Sequence, residues 1–323
     1  MTLLESKKSI EKLIARASSI YIMGHRYLDL DAIGSAIGFY EYLRYYDKEL
    51  AIVINDRKLE PGVKKILDKM KGLYRIERSN NIKSSIDKNS LLIIVDTNKK
   101  ALLQDPSMVD CFENVIVVDH HDLNESSIDK GLIIVDENTS STCEMLGEFL
   151  TSSNIEISED TATILLSGIV LDTNNFVLKT TANTYKVSYL LAEKGADPNY
   201  VQYLLKQDIK NYIERQKVIT NVKIIKKSIA LSCANSKVRY RREDLAKIAD
   251  TILQFDKVES SFVIGKLDNN DIGISARSIG TINVGEILEK LGGGGDEHEA
   301  GARLEKTSIK KVEKLLKETL KIV

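Results

Sequence analysis

Histidine and aspartate residues gather directly after three apolar segments of this sequence. Three of the four histidines in the chain fall in this set, each within four positions of an aspartate. Imidazole and carboxylate ligands together suit Mn²⁺, Fe²⁺ or Zn²⁺, so the set predicts a metal site. Its members are His25, Asp29 and Asp31 in GHRYLDLDAIGS (24–35), Asp96 in LLIIVD (91–96), and Asp119, His120 and His121 in NVIVVDHH (114–121).

The set is large enough for two ions. Two divalent cations about 3.5–4 Å apart need about six protein ligands, one of them a bridging carboxylate. Asp172, in GIVLDTNNF at the end of an apolar helical segment, adds a further carboxylate. Asp105, Asp110 and Asp136 are also available, in weaker sequence contexts. Such a pair activates a water molecule and holds a phosphoryl oxygen, which favours phosphoryl hydrolysis.

Parallel strands would bring these residues together. Five apolar runs do not alternate with polar residues, which predicts strands that are covered on both faces. Helical segments lie between most of them, and Asp31 is a natural N-cap for one of these helices. This is a doubly wound α/β pattern, in which ligands bind outside the carboxyl ends of the strands. The predicted strands are 19–24, 50–55, 91–96, 114–119 and 132–136, and the predicted helices include 5–18, 31–48, 61–70 and 99–111.

The rest of the chain predicts more helices and then a smaller second domain. Helices are expected at 141–152, 158–171 and 182–194, followed by one long connecting helix at 198–222. The second domain reads as α+β, with strands at 229–234, 260–267 and 271–277 and helices at 241–254, 283–291 and 307–320. We therefore divide the chain into a catalytic domain (1–197), a linker helix (198–226) and a substrate-binding domain (227–323).

Composition limits the class of protein. A chain of 323 residues suits two domains. Its net charge of −1 argues against a non-specific grip on long nucleic acid, although a small anionic ligand remains compatible. The three cysteines form no CxxC pair, and no apolar run approaches the ~18 residues of a membrane span. Without a signal peptide, we expect a cytoplasmic protein or the cytosolic part of a larger one.

Sequence motifs for calcium binding, nucleotide binding and serine hydrolases are incomplete or absent. DLDAIG starts like a calcium-binding EF-hand loop, but positions five and twelve would be Ile33 and Tyr40. No GxxxxGK[ST], no helix-opening GxGxxG and no GxSxG is present.

A glycine run lies near the end of the second domain. Residues 292–295 are either a flexible hinge or a backbone that approaches a phosphate or base closely. Arg277, in SARS (275–278), falls at the end of a predicted strand, where its guanidinium could bind phosphate. The basic stretch KVRYRR (237–242) reads as a solvated face before a helix.

These motifs resemble a known family. GHRYLDLDAIGS, VDT (95–97) and DHH (119–121) resemble the successive motifs of the DHH phosphoesterases, and ISARSIGTINVGEILEKLGGGG (274–295) resembles the DHH-associated C-terminal domain. With IMGHR and LLAEKGADPNYVQYLLKQD (190–208), the chain is most similar to the GdpP-type cyclic-di-AMP phosphodiesterases. The resemblance implies two Mn²⁺ ions, with other divalent ions as alternatives, in a cleft between the two domains.

The resemblance also implies roles for individual residues. His25 and Asp29 would hold one ion, Asp31, His120 and Asp172 the other, and Asp96 would bridge them. Asp119 would orient His120, and His121 would act on the substrate phosphate as a hydrogen-bond donor or acid. In the second domain, the phosphate or base of the nucleotide would contact Arg277, Ser275, Gly293, Gly294, Gly295 and His298.

Three positions depart from the family pattern. Leu28 replaces a proline, which should be harmless. Asp296 stands where the motif GGGGH has histidine, so either His298 substitutes for it or that substrate contact is lost. Asn183 stands where the family often has arginine.

The resemblance implies hydrolysis of cyclic-di-AMP, and of cyclic-di-GMP as a further candidate, to the linear dinucleotide by a hydroxide held between two metal ions. A nanoRNase that also dephosphorylates pAp shares these features and stays open, as does a nucleotide sensor that binds without cleaving. A RecJ-like exonuclease is disfavoured, because the chain lacks room for an added OB domain and is not basic. A family II pyrophosphatase is disfavoured too, because the second domain has no lysine- and arginine-rich SRKKQ-like element. Family practice implies a homodimer, and GdpP-type proteins carry N-terminal membrane and sensory domains, so we expect a catalytic fragment or a freestanding relative.

Overall fold

The computed structural model describes residues 2–153, 155–206, 208–226, 228–280 and 282–321. The intervening positions, among them Gln207 in the predicted linker helix and Thr281 in the C-terminal motif, lie outside the described residues. The chain forms two compact units, Met1–Lys206 and Gln207–Val323. Over the ranges described, no helix has both the length and the apolar character that a membrane crossing requires.

The first unit is built on a six-stranded sheet in which every pair of neighbours is parallel. The strand order is β3-β2-β1-β4-β5-β6, so the chain winds outward from β1 in one direction and from β4 in the other. The topological switch point, where such sheets bind ligands, therefore lies between β1 and β4. The strands are β1 (Ser19–Met23), β2 (Glu49–Val53), β3 (Ile76–Glu77), β4 (Leu91–Val95), β5 (Asn114–Asp119) and β6 (Leu132–Val135).

Helices cover both faces of this sheet, as the uninterrupted apolar runs predict. In β1, Ile20 and Ile22 pack into one hydrophobic cluster, while Tyr21 and Met23 pack into a second cluster on the opposite face. The helices of this unit are α1 (Lys7–Arg16), α2 (Leu30–Leu43), α3 (Pro61–Lys69), α4 (Ser79–Ile82), α5 (Met108–Cys111), α6 (Thr142–Ser152), α7 (Glu159–Asp172), α8 (Ala182–Glu193) and α9 (Pro198–Leu204).

The second unit has a mixed seven-stranded sheet of order β12-β13-β11-β10-β8-β7, with β9 also paired to β10. Two separate apolar clusters pack against it. Together the two units confirm the predicted fold class, a parallel α/β domain followed by a smaller α+β domain. The elements are α10 (Ile209–Thr220), β7 (Lys223–Lys226), β8 (Ile229–Cys233), β9 (Arg239–Tyr240), α11 (Arg242–Leu253), β10 (Ser260–Leu267), β11 (Ile272–Ser278), α12 (Val284–Glu289), β12 (Gly294–Gly295), β13 (Glu299–Leu304) and α13 (Ile309–Lys321).

The prediction of one long connecting helix at 198–222 is wrong. The structure has two helices there, because α9 ends at Leu204 and α10 begins at Ile209. Asp208 starts the second helix as an N-cap, with its carboxylate accepting a hydrogen bond from the Asn211 amide. The apolar periodicity continues across the break, so it could not reveal this interruption.

The predicted helix at 99–111 is also wrong for most of its length. Only a 3₁₀ turn at Lys100–Leu102 and the short α5 are helical. Pro106 disfavours helical backbone at Asp105, and the Asp105 carboxylate instead accepts a hydrogen bond from the Ser107 amide.

Gly131 precedes β6 and allows close packing of the backbone against Val115 of β5, which substitution can test. It has φ +90°, and a Cβ atom added there would lie 2.1 Å from the Val115 carbonyl oxygen. Gly72 is a matched control, because it has φ +85° but nothing within 4 Å of its added Cβ. We expect Gly72→Ala to lower the free energy of unfolding by about 1 kcal/mol, the cost of a left-handed alanine. Gly131→Ala should lower it by about 3 kcal/mol, because a steric clash is added. Equal losses in urea unfolding experiments would contradict this account.

Candidate metal centre

The sheet order brings the predicted ligands to one edge. Strand β4 lies between β1 and β5, with Met23 paired to Ile94 and Val95 paired to Val118. His25, Asp96 and His120 each follow one of these three strands. Because neighbouring strands are parallel, their carboxyl ends lie side by side, and Asp96 occupies the middle position.

Asp96 lies between two imidazoles. Its Oδ2 is 3.3 Å from His25 Nε2, and its Oδ1 is 3.4 Å from His120 Nε2. The residue adopts φ +58°, and its amide donates to the Val118 carbonyl at 2.9 Å. Aspartate tolerates this left-handed backbone better than most residues. Its carboxylate is therefore placed where a bridging ligand would lie, and it is almost completely buried.

The first ligand cluster consists of His25, Asp29 and Asp96. His25 Nε2 lies 3.6 Å from Asp29 Oδ1, while His25 Nδ1 is 2.8 Å from the Arg26 carbonyl oxygen. A proton on Nδ1 would satisfy that carbonyl and leave the Nε2 lone pair for a cation.

The predicted N-cap of α2 is wrong by two residues. Asp29, rather than Asp31, caps the helix, because Asp29 Oδ1 accepts hydrogen bonds from the amides of Asp31 and Ala32. Asp31 lies one position inside the helix, and its side chain is free to point elsewhere.

The second ligand cluster consists of Asp31, His120 and Asp172. His120 Nε2 is 3.2 Å from Asp172 Oδ2 and 4.0 Å from Asp31 Oδ2. Asp172 is the last residue of α7, and Asp31 is fully buried.

Sequence reasoning missed the groups that hold Asp31. Both of its carboxylate oxygens accept backbone hydrogen bonds at the start of α6, from Thr142 N at 2.8 Å and Cys143 N at 2.7 Å. These amides belong to the first turn of a helix, which favours an anion. The sequence carries a signal for that helix start, because Ser141 caps α6 through the Glu144 amide, but it does not show which anion the start binds.

The donor set fits divalent cations. Over the residues that the structure describes, both ring nitrogens of His120 are buried and neither makes a hydrogen bond of good geometry, although Nε2 lies 3.2 Å from Asp172 Oδ2. A buried polar atom without a partner is unusual in a folded protein. A cation among the three side chains of the second cluster would satisfy His120 Nε2, and mixed imidazole and carboxylate ligands suit Mn²⁺, Fe²⁺ or Zn²⁺.

Burial and neighbouring charges shift the pKa values of the aspartates in this centre. Burial, with Asp96 and Asp172 close by, raises the pKa of Asp31 well above its ordinary value. Burial also raises the pKa of Asp172 to about 6. Burial opposes ionisation of Asp96 too, but His120 and His25 outweigh it and hold its pKa well below the usual range.

The pKa values of the two buried imidazoles are raised, whereas the pKa of an isolated buried histidine would be lowered. Burial alone would lower the pKa of each, but nearby carboxylates outweigh it and raise the pKa of both His25 and His120 well above the ordinary value. These raised pKa values favour protons on groups that a metal needs deprotonated.

Asp119 contacts the ring of His121 rather than that of His120. Its Oδ1 lies 2.8 Å from His121 Nδ1 and also accepts the His120 amide at 2.8 Å. Among the described residues, Asp119 makes no hydrogen bond to the His120 ring, although both side chains belong to one group of potential metal ligands, so the role of Asp119 in orienting His120 stays a prediction. The His121 side chain is 54% exposed, and the pKa of the ring is raised because the Asp119 carboxylate outweighs the partial desolvation of the ring.

In the second unit, most predicted substrate residues line one cleft of about 640 Å³. Arg277 Nε is 2.6 Å from Asp250 Oδ1, and Arg277 Nη2 is 3.3 Å from Glu299 Oε2. His298 is not among the lining residues; its Nδ1 is 3.2 Å from the Ser278 carbonyl oxygen. The predicted residues that line the cleft are Ser275, Arg277, Gly293, Gly294 and Gly295.

The glycines of this cleft do not all serve the same purpose. A Cβ at Gly293 would lie 2.4 Å from the Gly301 carbonyl oxygen, and one at Gly295 would lie 2.2 Å from that of Glu299. These two glycines permit close packing within the unit. Gly294 has nothing within 4 Å of an added Cβ, so its face is open to a ligand.

The two polar departures from the family pattern have partners in the structure. Asp296 Oδ1 accepts the amides of His298 and Glu299, at 2.7 and 2.8 Å, and so closes a turn. Asn183 donates to Glu144 Oε1 at 3.0 Å. Both side chains therefore stabilise their own unit.

Comparison with known proteins identifies two domains in the chain. The N-terminal domain of the DHH family matches residues 19–169, and a DHHA1 domain matches residues 223–323. The chain is 34% identical over 321 residues to the cyclic-di-AMP phosphodiesterase PdeA of Listeria monocytogenes, covering 96% of this chain and 48% of PdeA. It spans about half the length of this relative and of the similarly matched GdpP of Geobacillus thermodenitrificans, which is 34% identical.

A shorter relative matches nearly end to end. The bifunctional oligoribonuclease and PAP phosphatase NrnA of Mycoplasma genitalium is 27% identical over 306 residues, covering 90% of this chain and 89% of NrnA.

Two solved structures share the fold. An exopolyphosphatase-related protein from Bacteroides fragilis superposes with a TM-score of 0.78 at 22% identity, over 97% of this chain and 96% of its own. RecJ from Thermus thermophilus, solved in complex with Mn²⁺, has a TM-score of 0.57 at 12% identity, over 99% of this chain and 55% of its own.

The raised pKa values of the candidate ligands predict how the affinity for a cation depends on pH. Binding must displace protons from groups such as His25, His120 and Asp31, whose pKa values are raised. Titration with Mn²⁺ at about pH 7 should therefore release protons, and the affinity should fall as the pH is lowered from about 8 to 6. Calorimetry in two buffers of different ionisation enthalpy measures this release. A binding enthalpy that is the same in both buffers would contradict the predicted proton states.

Proposed function

This chain belongs to the DHH family, and from that premise we propose that it hydrolyses cyclic-di-AMP to linear pApA. The observation that carries the proposed hydrolysis is the position of Asp96, whose two oxygens face His25 and His120 and so join two ligand clusters. The choice of substrate is supported by the two 34%-identical relatives that are named cyclic-di-AMP phosphodiesterases.

Two Mn²⁺ ions fit the proposal. His25 and Asp29 would hold one ion, Asp31, His120 and Asp172 would hold the other, and Asp96 would be shared. Once bound, such ions lower the pKa of a coordinated water and neutralise charge on a phosphoryl oxygen. The chain itself holds three of these six side chains in place: the α6 amides bind Asp31, Asp29 is fixed as the α2 cap, and the left-handed turn positions Asp96.

His121 is the proposed donor to the substrate. Its Nδ1 lies against the buried carboxylate of Asp119, which fixes the ring and would keep a proton on Nδ1. In that orientation, Nε2 is the atom available to donate a proton to the departing 3′ oxygen. The exposure of His121, unlike that of buried His120, is compatible with direct contact to a substrate.

The substrate-binding role of the second unit is also part of the proposal. Arg277 is paired with Asp250 and with the exposed Glu299, so a substrate phosphate would replace Glu299 at Arg277 Nη2. Ser275 and the glycine run (293–295) would contact the nucleotide, and His298 would supply the contact that Asp296 cannot donate. A cytoplasmic homodimer completes the proposal and rests on the family resemblance alone.

Two other candidate functions each have one observation in their favour. Activity on short oligonucleotides and pAp is favoured by the relative NrnA, which this chain matches over nearly the whole length of both proteins. Binding of a cyclic dinucleotide without cleavage is favoured by Asp296, whose oxygen is committed to a turn instead of a substrate.

We expect Asp31→Ala and His120→Ala to abolish turnover of cyclic-di-AMP in the presence of Mn²⁺, because each removes a ligand of the second cluster. Asp110→Ala is the matched control; this exposed carboxylate pairs with Lys100. It should retain the wild-type rate. Retained turnover in either cluster variant, with circular dichroism showing a native fold, would reject the assignment.

The same assay separates the candidate functions. Wild-type protein with Mn²⁺ is incubated separately with cyclic-di-AMP, cyclic-di-GMP, pApA and pAp, and the products are separated by chromatography. Linear pApA from cyclic-di-AMP supports the proposal, whereas cleavage of only pApA and pAp supports the oligoribonuclease. Tight binding of cyclic-di-AMP without a product supports the sensor.

We expect Arg277→Lys to raise KM for cyclic-di-AMP about tenfold while kcat changes less than about twofold. Lysine keeps a positive charge near Asp250 but loses the planar fork that binds phosphate with two donors. Arg239→Lys is the control, because Arg239 is an exposed residue of the same unit whose guanidinium contacts Asn270. An unchanged KM in the Arg277 variant would remove Arg277 from the substrate site.

A further inference from the structure

Thr142 donates hydrogen bonds to two carboxylates of the proposed metal centre, those of Asp31 and Asp96. It is the first residue of α6 and is fully buried. Its amide donates to Asp31 Oδ2 at 2.8 Å, and its hydroxyl donates to Asp96 Oδ1 at 3.2 Å. We propose that Thr142 is a positioning residue whose hydroxyl sets the orientation of the Asp96 carboxylate between the two clusters.

The hydroxyl contacts one particular oxygen of Asp96. Oδ1 faces His120 and receives the Thr142 hydrogen bond, whereas Oδ2 faces His25. Among the described residues, Thr142 supplies the one hydroxyl or amide hydrogen bond to this carboxylate. A carboxylate oxygen can accept this bond and still offer a lone pair to a cation. Thr142 therefore limits rotation of the carboxylate and directs Oδ1 to the second cluster.

The hydroxyl is not needed for the start of the helix. Ser141 is the N-cap of α6, and its side chain accepts the Glu144 amide at 3.0 Å. Asp31 is held by the backbone amides of Thr142 and Cys143, which persist when the side chain at 142 changes. Thr142→Val keeps the volume and shape of the side chain and deletes only the hydrogen bond to Asp96. The variant thus isolates the positioning role from the fold.

This inference rests on the proposed metal centre but not on the proposed substrate. Groups that orient a metal ligand typically contribute about 10–100-fold to metal affinity. Because Thr142 contacts Oδ1, its loss should weaken the ion held by Asp31, His120 and Asp172 about tenfold. The ion held by His25 and Asp29 should change by less than about threefold, since Oδ2 has no contact with Thr142.

The test measures Mn²⁺ binding to metal-free protein by calorimetry, which requires no turnover. Thr142→Val should bind one of two ions about tenfold more weakly, and Thr142→Ser, which keeps the hydroxyl, should bind within about threefold of wild type. Thr151→Val is the matched control on the same helix, because its hydroxyl donates to the Gly147 carbonyl and not to a ligand. Thr142→Ala serves as a second variant without the hydroxyl if the valine variant does not fold.

A double-mutant cycle identifies the weakened ion. In a His25→Ala background the second cluster is intact, so adding Thr142→Val should weaken the remaining ion about tenfold. In a His120→Ala background that cluster is already broken, so adding Thr142→Val should change the remaining affinity less than about twofold.

Several results would overturn the inference: wild-type affinity in both variants that lack the hydroxyl, equal weakening in Thr142→Ser, or an equal loss in Thr151→Val. A wild-type protein that binds no Mn²⁺ would overturn it together with the proposed metal centre. A wild-type protein that binds two ions but does not cleave cyclic-di-AMP would reject only the proposed function, and the binding results for Thr142 would then still decide this inference.

Discussion

The centre depends on one buried carboxylate held between two imidazoles. Asp96 lies 3.3 Å from His25 and 3.4 Å from His120, and it can do so only because β4 lies between β1 and β5. In a sheet with another strand order, the same three residues would follow strands that are not neighbours. The left-handed backbone at Asp96 places its side chain over this edge, and the Val118 carbonyl fixes that backbone. The ligand clusters are thus a consequence of topology.

Much of this arrangement follows from local sequence signals. The apolar runs of β1, β4 and β5 are long and continuous, and the six proposed ligands lie at or near the ends of predicted elements. The switch point between β1 and β4 did not follow from those signals, because strand order depends on contacts between distant segments. The two-residue strands β3, β9 and β12 are too short to produce a pattern. The break between α9 and α10 depends on a cap that interrupts no periodicity.

The polar contacts that hold the ligands in place were the least predictable. Asp31 is 111 residues from Thr142 in the chain, and no local rule pairs a helix start with a carboxylate so distant. Two further predicted site residues have partners that the sequence did not show. Asp119 contacts the neighbouring ring of His121, and Arg277 is already paired with Asp250 and Glu299. Sequence identifies which residue types can do chemistry, whereas tertiary contacts determine which atoms remain available for it.

The same contacts explain how a cluster of buried acids can fold before any cation binds. An unpaired buried carboxylate would be strongly destabilising, so each acid here needs compensation. Asp96 has two imidazoles with raised pKa values beside it, and Asp31 combines two backbone amides with a pKa well above the ordinary value. Protons on these groups would therefore offset the buried charge when no cation is bound. Because protons and cations would neutralise the same oxygens, replacing one by the other would keep the net charge of the buried centre low.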